Sequence, residues 1–292
     1  MPRWIKILLK VTVIFFALVV VSWIAIAAYV HSHKKALLDS ITAQLNEDLT
    51  GTLKIEKMEP GLIRGFPGIS VTLKNIVLRD SLWNRHRHDV LNAKEAFVSV
   101  DLFSLLTGNP TIKNISIHDG QLYFFTDSQG YTNTDLFKKA TPGTNTTGVK
   151  KKRINKIDLI NVRLILENQM RSKYFDFNIA SFKGKINYNP SGWKATAKMN
   201  TLVNRLEFNT NRGSFMKNTR VKADLDMSFD TQTHSLNIPM QDMKIGEDAF
   251  EVGGKFSLGK DQSDFALDIK TPGITLDNAQ KLLLPKIIAK LR

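Results

Sequence analysis

The chain has 292 residues, 42% of them hydrophobic and 23% charged, which is enough apolar material for a folded body and excludes wholesale disorder. Cysteine is absent, so a disulfide framework, a thiolate metal site and a cysteine nucleophile are all excluded. Against 27 Asp and Glu stand 41 Lys and Arg, and the formal net charge of +14 attracts anionic surfaces such as phospholipid headgroups or nucleic acid.

A basic tail, residues 1–10 with Arg3, Lys6 and Lys10, leads into residues 11–30, where no side chain is charged. At about 1.5 Å per residue this run reaches about 30 Å, the thickness of a hydrocarbon core, and is expected to be a transmembrane helix. Val11, Phe15, Phe16, Val20, Trp23 and Tyr29 are the residues expected to anchor it. Three strong bases precede the run and two, Lys34 and Lys35, follow it, so the N-terminus is expected in the cytoplasm of a bacterial cell and the body in the periplasm. The competing reading is a signal peptide cleaved after Ala25-Ile26-Ala27, but such apolar cores usually run about 7–15 residues.

Within residues 31–50, Leu37, Leu38, Ile41, Leu45 and Leu49 recur at helical spacing, which predicts a short amphipathic helix stopped by Gly51. Beyond it the period changes from about 3.6 to 2. The clearest strand covers 219–230, where Val221, Ala223, Leu225, Met227 and Phe229 alternate with Lys222, Asp224, Asp226 and Ser228. Other alternating runs include Leu53-Ile55, Ile69-Val71-Leu73, Ala96-Val98-Val100, Phe175-Phe177-Ile179, Trp193-Ala195-Ala197-Met199, Phe250-Val252 and Phe265-Leu267-Ile269. Short strands with tight turns predict an antiparallel meander. A weak internal echo, VTLKNIVLRDS (71–81), TIKNISIHDGQLYF (111–124) and IDLINVRLILEN (157–168), shares an apolar-x-Asn-apolar-x-apolar core.

Residues 138–153 hold Pro, Gly, Thr and a basic cluster with little to bury, and predict a flexible linker. The expected plan is a first β region over 51–140, a linker over 141–153, a second β-meander over 154–270 and an amphipathic helix over 271–292, kinked at Pro285. That helix carries Leu282, Leu283, Ile287, Ile288 and Leu291 with Lys281, Lys286 and Lys290, and suits either a membrane surface or a missing partner, or the capping of a sheet end.

Two stretches, FPGISVTLKNIVLRDS from Phe66 and VSVDLFSLLTGNPTIKNISIHDGQLYFFTDSQGYTN from Val98, follow the basic tail and the two helices in an order that resembles the N-terminal region of AsmA-like proteins, relatives of TamB. The matching positions are Phe66-Pro67, residues 102–108, residues 112–120 and residues 130–133, and the likeness covers about residues 1–140. Each motif is degenerate, so the resemblance rests on their order. It implies a bridge-like lipid-transfer protein: a long curved sheet whose apolar face forms an open groove for phospholipid tails, in a chain that serves outer-membrane biogenesis. Members of that family are commonly much longer, so the resemblance also implies a truncated frame, a fragment, or a short member that needs a partner.

No catalytic, cofactor or metal site is expected, since nucleophile-elbow, zinc-protease and phosphate-loop motifs are all missing. In Arg85-His86-Arg87-His88 the two arginines disfavour a metal, and a solvated loop is expected there. His118 and His234 are isolated in sequence, the run Lys150 to Arg153 is expected to be solvated, and nucleic acid is not expected as a partner outside the cytoplasm. Gly184, Gly253 and Gly254 interrupt strand patterns, which predicts bulges or close backbone approaches. The expected groove lining comprises Phe177, Trp193, Val221, Leu225, Met227 and Phe229. An inner-membrane-anchored, non-enzymatic protein that binds or conducts phospholipid, with envelope proteins as further partners, is the leading expectation. The alternative is an anchored closed β-sandwich that assists outer-membrane protein assembly without carrying lipid; alternation along the strands fits both.

Overall fold

The computed structural model describes residues 49–61, 69–100, 112–137, 154–258 and 263–291, together with isolated positions before residue 49. The expected anchor residues Val11, Phe15, Phe16, Val20, Trp23 and Tyr29 lie outside the described residues, as does the linker 138–153. The amphipathic helix expected within 31–50 lies outside them too, apart from isolated positions. Among the described residues no helix is long and apolar enough to cross a membrane.

Among the described residues eleven strands form one open, curved sheet in the order β1 to β11. They are β1 (Gly51–Gly61), β2 (Ile69–Asp80), β3 (Leu91–Val100), β4 (Ile112–Thr126), β5 (Lys156–Asn168) and β6 (Lys173–Asn189). The remainder are β7 (Gly192–Glu207), β8 (Thr219–Asp230), β9 (Ser235–Ile245), β10 (Asp248–Leu258) and β11 (Ser263–Lys270). The expected mainly-β class holds, and the strand expected at 219–230 is β8 to the residue.

The uniform antiparallel meander does not hold: β4 and β5 run parallel, from Asn114 opposite Lys156 to Thr126 opposite Asn168. A tight turn cannot join parallel neighbours, because the chain must return to the same end of the sheet before the second strand starts. The segment between β4 and β5 is therefore a crossover. After a turn closed by the Thr126–Thr132 bridge it makes a 3₁₀ turn over Asn133–Phe137, whose Leu136 is buried against Leu78 and Val90. Through the β4–β5 pairing the two expected β regions are parts of one continuous sheet.

The echo in the sequence has a structural meaning, in a register different from the expected one for its middle copy. Asn75, Asp119 and Asn161 all take left-handed backbone angles, with φ of 51°, 52° and 53°. The equivalent of Asn75 and Asn161 is thus Asp119, not Asn114. Left-handed geometry is tolerated by Asn and Asp, whose short polar side chains bond locally, and Asn161 Nδ2 donates to Asp119 Oδ1. Because β4 and β5 are parallel, the two copies lie in step: Ile117 beside Leu159, Gly120 beside Val162 and Leu122 beside Leu164.

These residues form a crease. In β2, Leu73 and Ile76 are both buried although three positions apart, and the same spacing recurs at Ala93/Ala96 and Leu159/Val162. Between each such pair lie two residues on the wetter side, Lys74-Asn75, Lys94-Glu95 and Ile160-Asn161. A one-residue slip normally turns every later side chain to the opposite face. Here the neighbouring strands carry the irregularity at the same level, so register survives and the apolar face stays continuous. The crease ends at β6 and β7, where Ala180 is left unpaired between Ile179 opposite Thr201 and Ser181 opposite Asn200. Extra residues of this kind bend and twist a strand, and they give this long sheet a source of curvature.

One of the predicted glycine roles changes. Gly253 does sit at a register shift, but Gly184 pairs regularly with Ile157 and Ala197. A Cβ at Gly184 would lie 2.8 Å from the Phe182 ring, so that glycine makes room for an aromatic side chain. The expected kinked C-terminal helix is two short helices, α2 (Leu276–Leu282) and α3 (Pro285–Leu291), because proline cannot continue a helix but suits its first position.

Candidate functional site

The most extensive feature of the sheet is one face that is apolar from β1 to β11. Leu53, Ile55 and Met58 of β1 meet Leu78, Ile76 and Leu73 of β2, which meet Leu91, Ala93 and Ala96 of β3. Farther along, Phe177 of β6 lies beside Val203 of β7, and Trp193, Ala195, Ala197 and Thr201 of β7 face Phe229, Met227, Leu225 and Val221 of β8. All six residues singled out in the sequence therefore share this face. The rings of Trp193 and Phe229 stack with centroids 5.8 Å apart.

Burial along the face is graded. Val71, Leu73, Ile76, Ala93, Ala96 and Val98 are buried in one cluster, and each such side chain contributes about 1.5–3 kcal/mol relative to exposure. Val221 is also buried, whereas Phe177, Trp193, Leu225, Met227 and Phe229 are half-buried. At the last strand Leu267 and Ile269 are 51% and 57% exposed. A face that no second sheet covers leaves apolar area open to an apolar ligand or a partner. Among the described residues all strands belong to the one sheet.

The C-terminal segment closes part of one end. Ile274 and Leu282 pack against the cluster of Val203, Val221, Ile245 and Phe250, and Met216 N–H donates to the Leu282 carbonyl at 3.3 Å. Thr275 caps α2 by accepting from Asn278 N–H through its hydroxyl. Ile274 and Leu282 thus pack on the sheet as the capping role requires, while Leu276 and Ile287 remain 63% and 38% exposed.

The opposite face is polar and cross-linked. Arg163 holds Asp176 through two bonds of 3.0 and 2.7 Å, and Asn204 adds a third. Burial pushes the Asp176 carboxyl up, but these donors outweigh it and hold the group below its ordinary range. Asp224 and Asp226 lie on this wet face as expected, and Asp224 pairs with Lys198 at 2.8 Å.

The segment Arg85 to His88 is not the solvated loop that was expected. It spans the end of the helical turn α1 (Trp83–His86), and the His86 side chain is only 6% exposed, 3.0 Å from the buried Asp80 carboxylate. Tyr131 also donates to Asp80, and His86 Nδ1 accepts from His88 N–H at 3.1 Å. With Nδ1 accepting, the ring proton sits on Nε2 and points at Asp80, so both ring nitrogens are engaged. The His88 ring stacks on Tyr123 at 4.2 Å. Arg79 and Arg87 stack on Trp83, with their guanidinium carbons 3.8 and 4.6 Å from the ring centre. His118 is held by Ser116 at 2.9 Å and lies edge-on to Phe97.

The sequence missed this network because Tyr131 lies 51 positions from Asp80 in the chain, and only the turn after β4, closed by the Thr126–Thr132 bridge, sets it beside Asp80 and His86. Although the alternating runs of β1 to β3 were visible, no groove candidate was named from β1 to β5, where a three-residue step interrupts alternation. The three-residue step flanking Asn or Asp was the available signal. No family model matches the chain, and no curated protein matches it significantly.

Proposed function

We propose that this chain is a membrane-anchored protein of the bacterial cell envelope that holds or conducts phospholipid acyl chains along the apolar face of its sheet. The observation that carries the reading is the continuity of that face across eleven strands, with half-buried Trp193, Leu225, Met227 and Phe229 at its more open part. Acyl chains need such a surface: apolar, long and accessible from the side, with no requirement for fixed polar partners. The uncharged run 11–30 supports an anchor, and the AsmA-like order of motifs in residues 1–140 supports a place in outer-membrane biogenesis. The scaffold alternative needs a closed sandwich, and the single sheet among the described residues favours the open groove over it.

The test is photocrosslinking of the full chain, gently solubilised in neutral detergent, to a phospholipid carrying a diazirine on its acyl tail. Crosslinked peptides are expected from β6 to β10, and the double variant L225D/F229D should lose them while keeping its far-UV circular dichroism. Crosslinks confined to residues 11–30, unchanged in the double variant, would transfer the proposal to the scaffold reading.

A further inference from the structure

The polar face carries a second feature that is independent of the acyl-chain reading. On adjacent strands the outward side chains form two rungs: Lys156 opposite Lys185 and then Thr196 and Asp226, and Asp158 opposite Lys183 and then Lys198 and Asp224. Each rung thus contains a lysine directly opposite another lysine, Lys156 with Lys185 and Lys183 with Lys198. Like charges in directly opposed positions of a sheet repel and destabilise it.

Two of the four lysines are compensated. Lys156 Nζ lies 2.9 Å from Asp158, and Lys198 Nζ lies 2.8 Å from Asp224. Lys183 and Lys185 make no ion pair among the described residues, since Asp158, which stands opposite Lys183, is bound by Lys156, and both are exposed. They stand on the same side of β6 two residues apart, about 7 Å along the strand. Together the four lysines rim a hollow of about 440 Å³ whose far wall is formed by Asp224, Leu225 and Asp226. Among the described residues the Asp226 carboxylate has no cation partner, and it would repel an anion toward β6, the strand that carries Lys183 and Lys185.

We propose that Lys183 and Lys185 form a binding site for a phosphate group, with Lys156 and Lys198 as flanking charges. A phosphate suits it because one tetrahedral anion has oxygens enough to accept from both ammonium groups and so offset both lysine–lysine repulsions at once. The same chemistry is offered by a phospholipid headgroup and by a soluble phosphate, and the experiment separates them.

The full chain in neutral detergent is titrated by calorimetry at constant ionic strength, once with inorganic phosphate and once with phosphatidylglycerol doped into the micelles. The double variant K183Q/K185Q should weaken binding by more than about tenfold. In phosphate-free buffer at low salt it should melt no lower than the parent, because it loses repulsion and not packing. The control K54Q/K57Q removes the same charge from β1, across the sheet, and should bind as the parent does. Saturation by inorganic phosphate supports a site for soluble phosphates, and a response to phosphatidylglycerol alone supports a headgroup site. Chloride competing as well as phosphate, or equal losses in K54Q/K57Q and K183Q/K185Q, would overturn the proposal. Because acyl-tail crosslinking is read out separately, failure of this site leaves the groove reading untouched, and the reverse.

Discussion

Replacing Asn161 by Val tests the crease directly. Asn161 is exposed and has φ of 53°, so the substitution removes no core contact. Valine is branched at Cβ and pays about 1–2 kcal/mol for left-handed geometry. It also loses the hydrogen bond to Asp119, worth about 0.5–1.5 kcal/mol net. The expected destabilisation is about 2–3 kcal/mol, large for a surface site where changes usually stay within about 0.5 kcal/mol. Glycine at the same position keeps the backbone geometry and loses only the hydrogen bond, so N161G should cost about 1 kcal/mol. Urea denaturation of both variants, followed by circular dichroism, gives the comparison. If N161V costs no more than N161G, the left-handed residues do not hold the crease and the argument for it is wrong.

Two further outcomes follow from particular contacts. At Gly120 a Cβ would sit 2.7 Å from the Asn92 carbonyl oxygen and 2.7 Å from the Ala93 side chain. Backbone cannot yield cheaply there, so G120A should lower stability by about 1–3 kcal/mol in the same denaturation assay. His88 is lowered below the ordinary histidine range chiefly by burial, with His86 acting in the same direction and Glu167 against it. Its neutral form is favoured by folding, so its contribution is present above the unfolded value near about 6.5 and is lost as pH falls through the lower folded value. H88F, which keeps a ring against Tyr123 but cannot titrate, should flatten the stability–pH curve in that window; an unchanged slope would assign the acid sensitivity to other groups.

Much of the β architecture was legible in the sequence because the side-chain period of a strand is local. Val221 to Phe229 alternate with charged residues, and no other backbone satisfies that pattern with one wet face. The six groove candidates were likewise legible as residues of one face, since β6, β7 and β8 alternate with few interruptions. The echo was visible too, but its register was not. Asn114 and Asp119 are both plausible matches in a string of letters, and only the backbone, left-handed at Asp119, distinguishes them.

By itself, the sequence determined that the body is β, that its strands have an apolar and a wet face, and that no thiol chemistry is available. Tertiary structure alone decided that β4 and β5 are parallel, that the two β regions are one sheet, and that His86 is buried against Asp80 and Tyr131. It also decided that Lys183 stands opposite Lys198 and Lys156 opposite Lys185. Strand direction and register are set by contacts between residues tens of positions apart, through crossovers and through irregularities matched from strand to strand, and a local period carries no record of them.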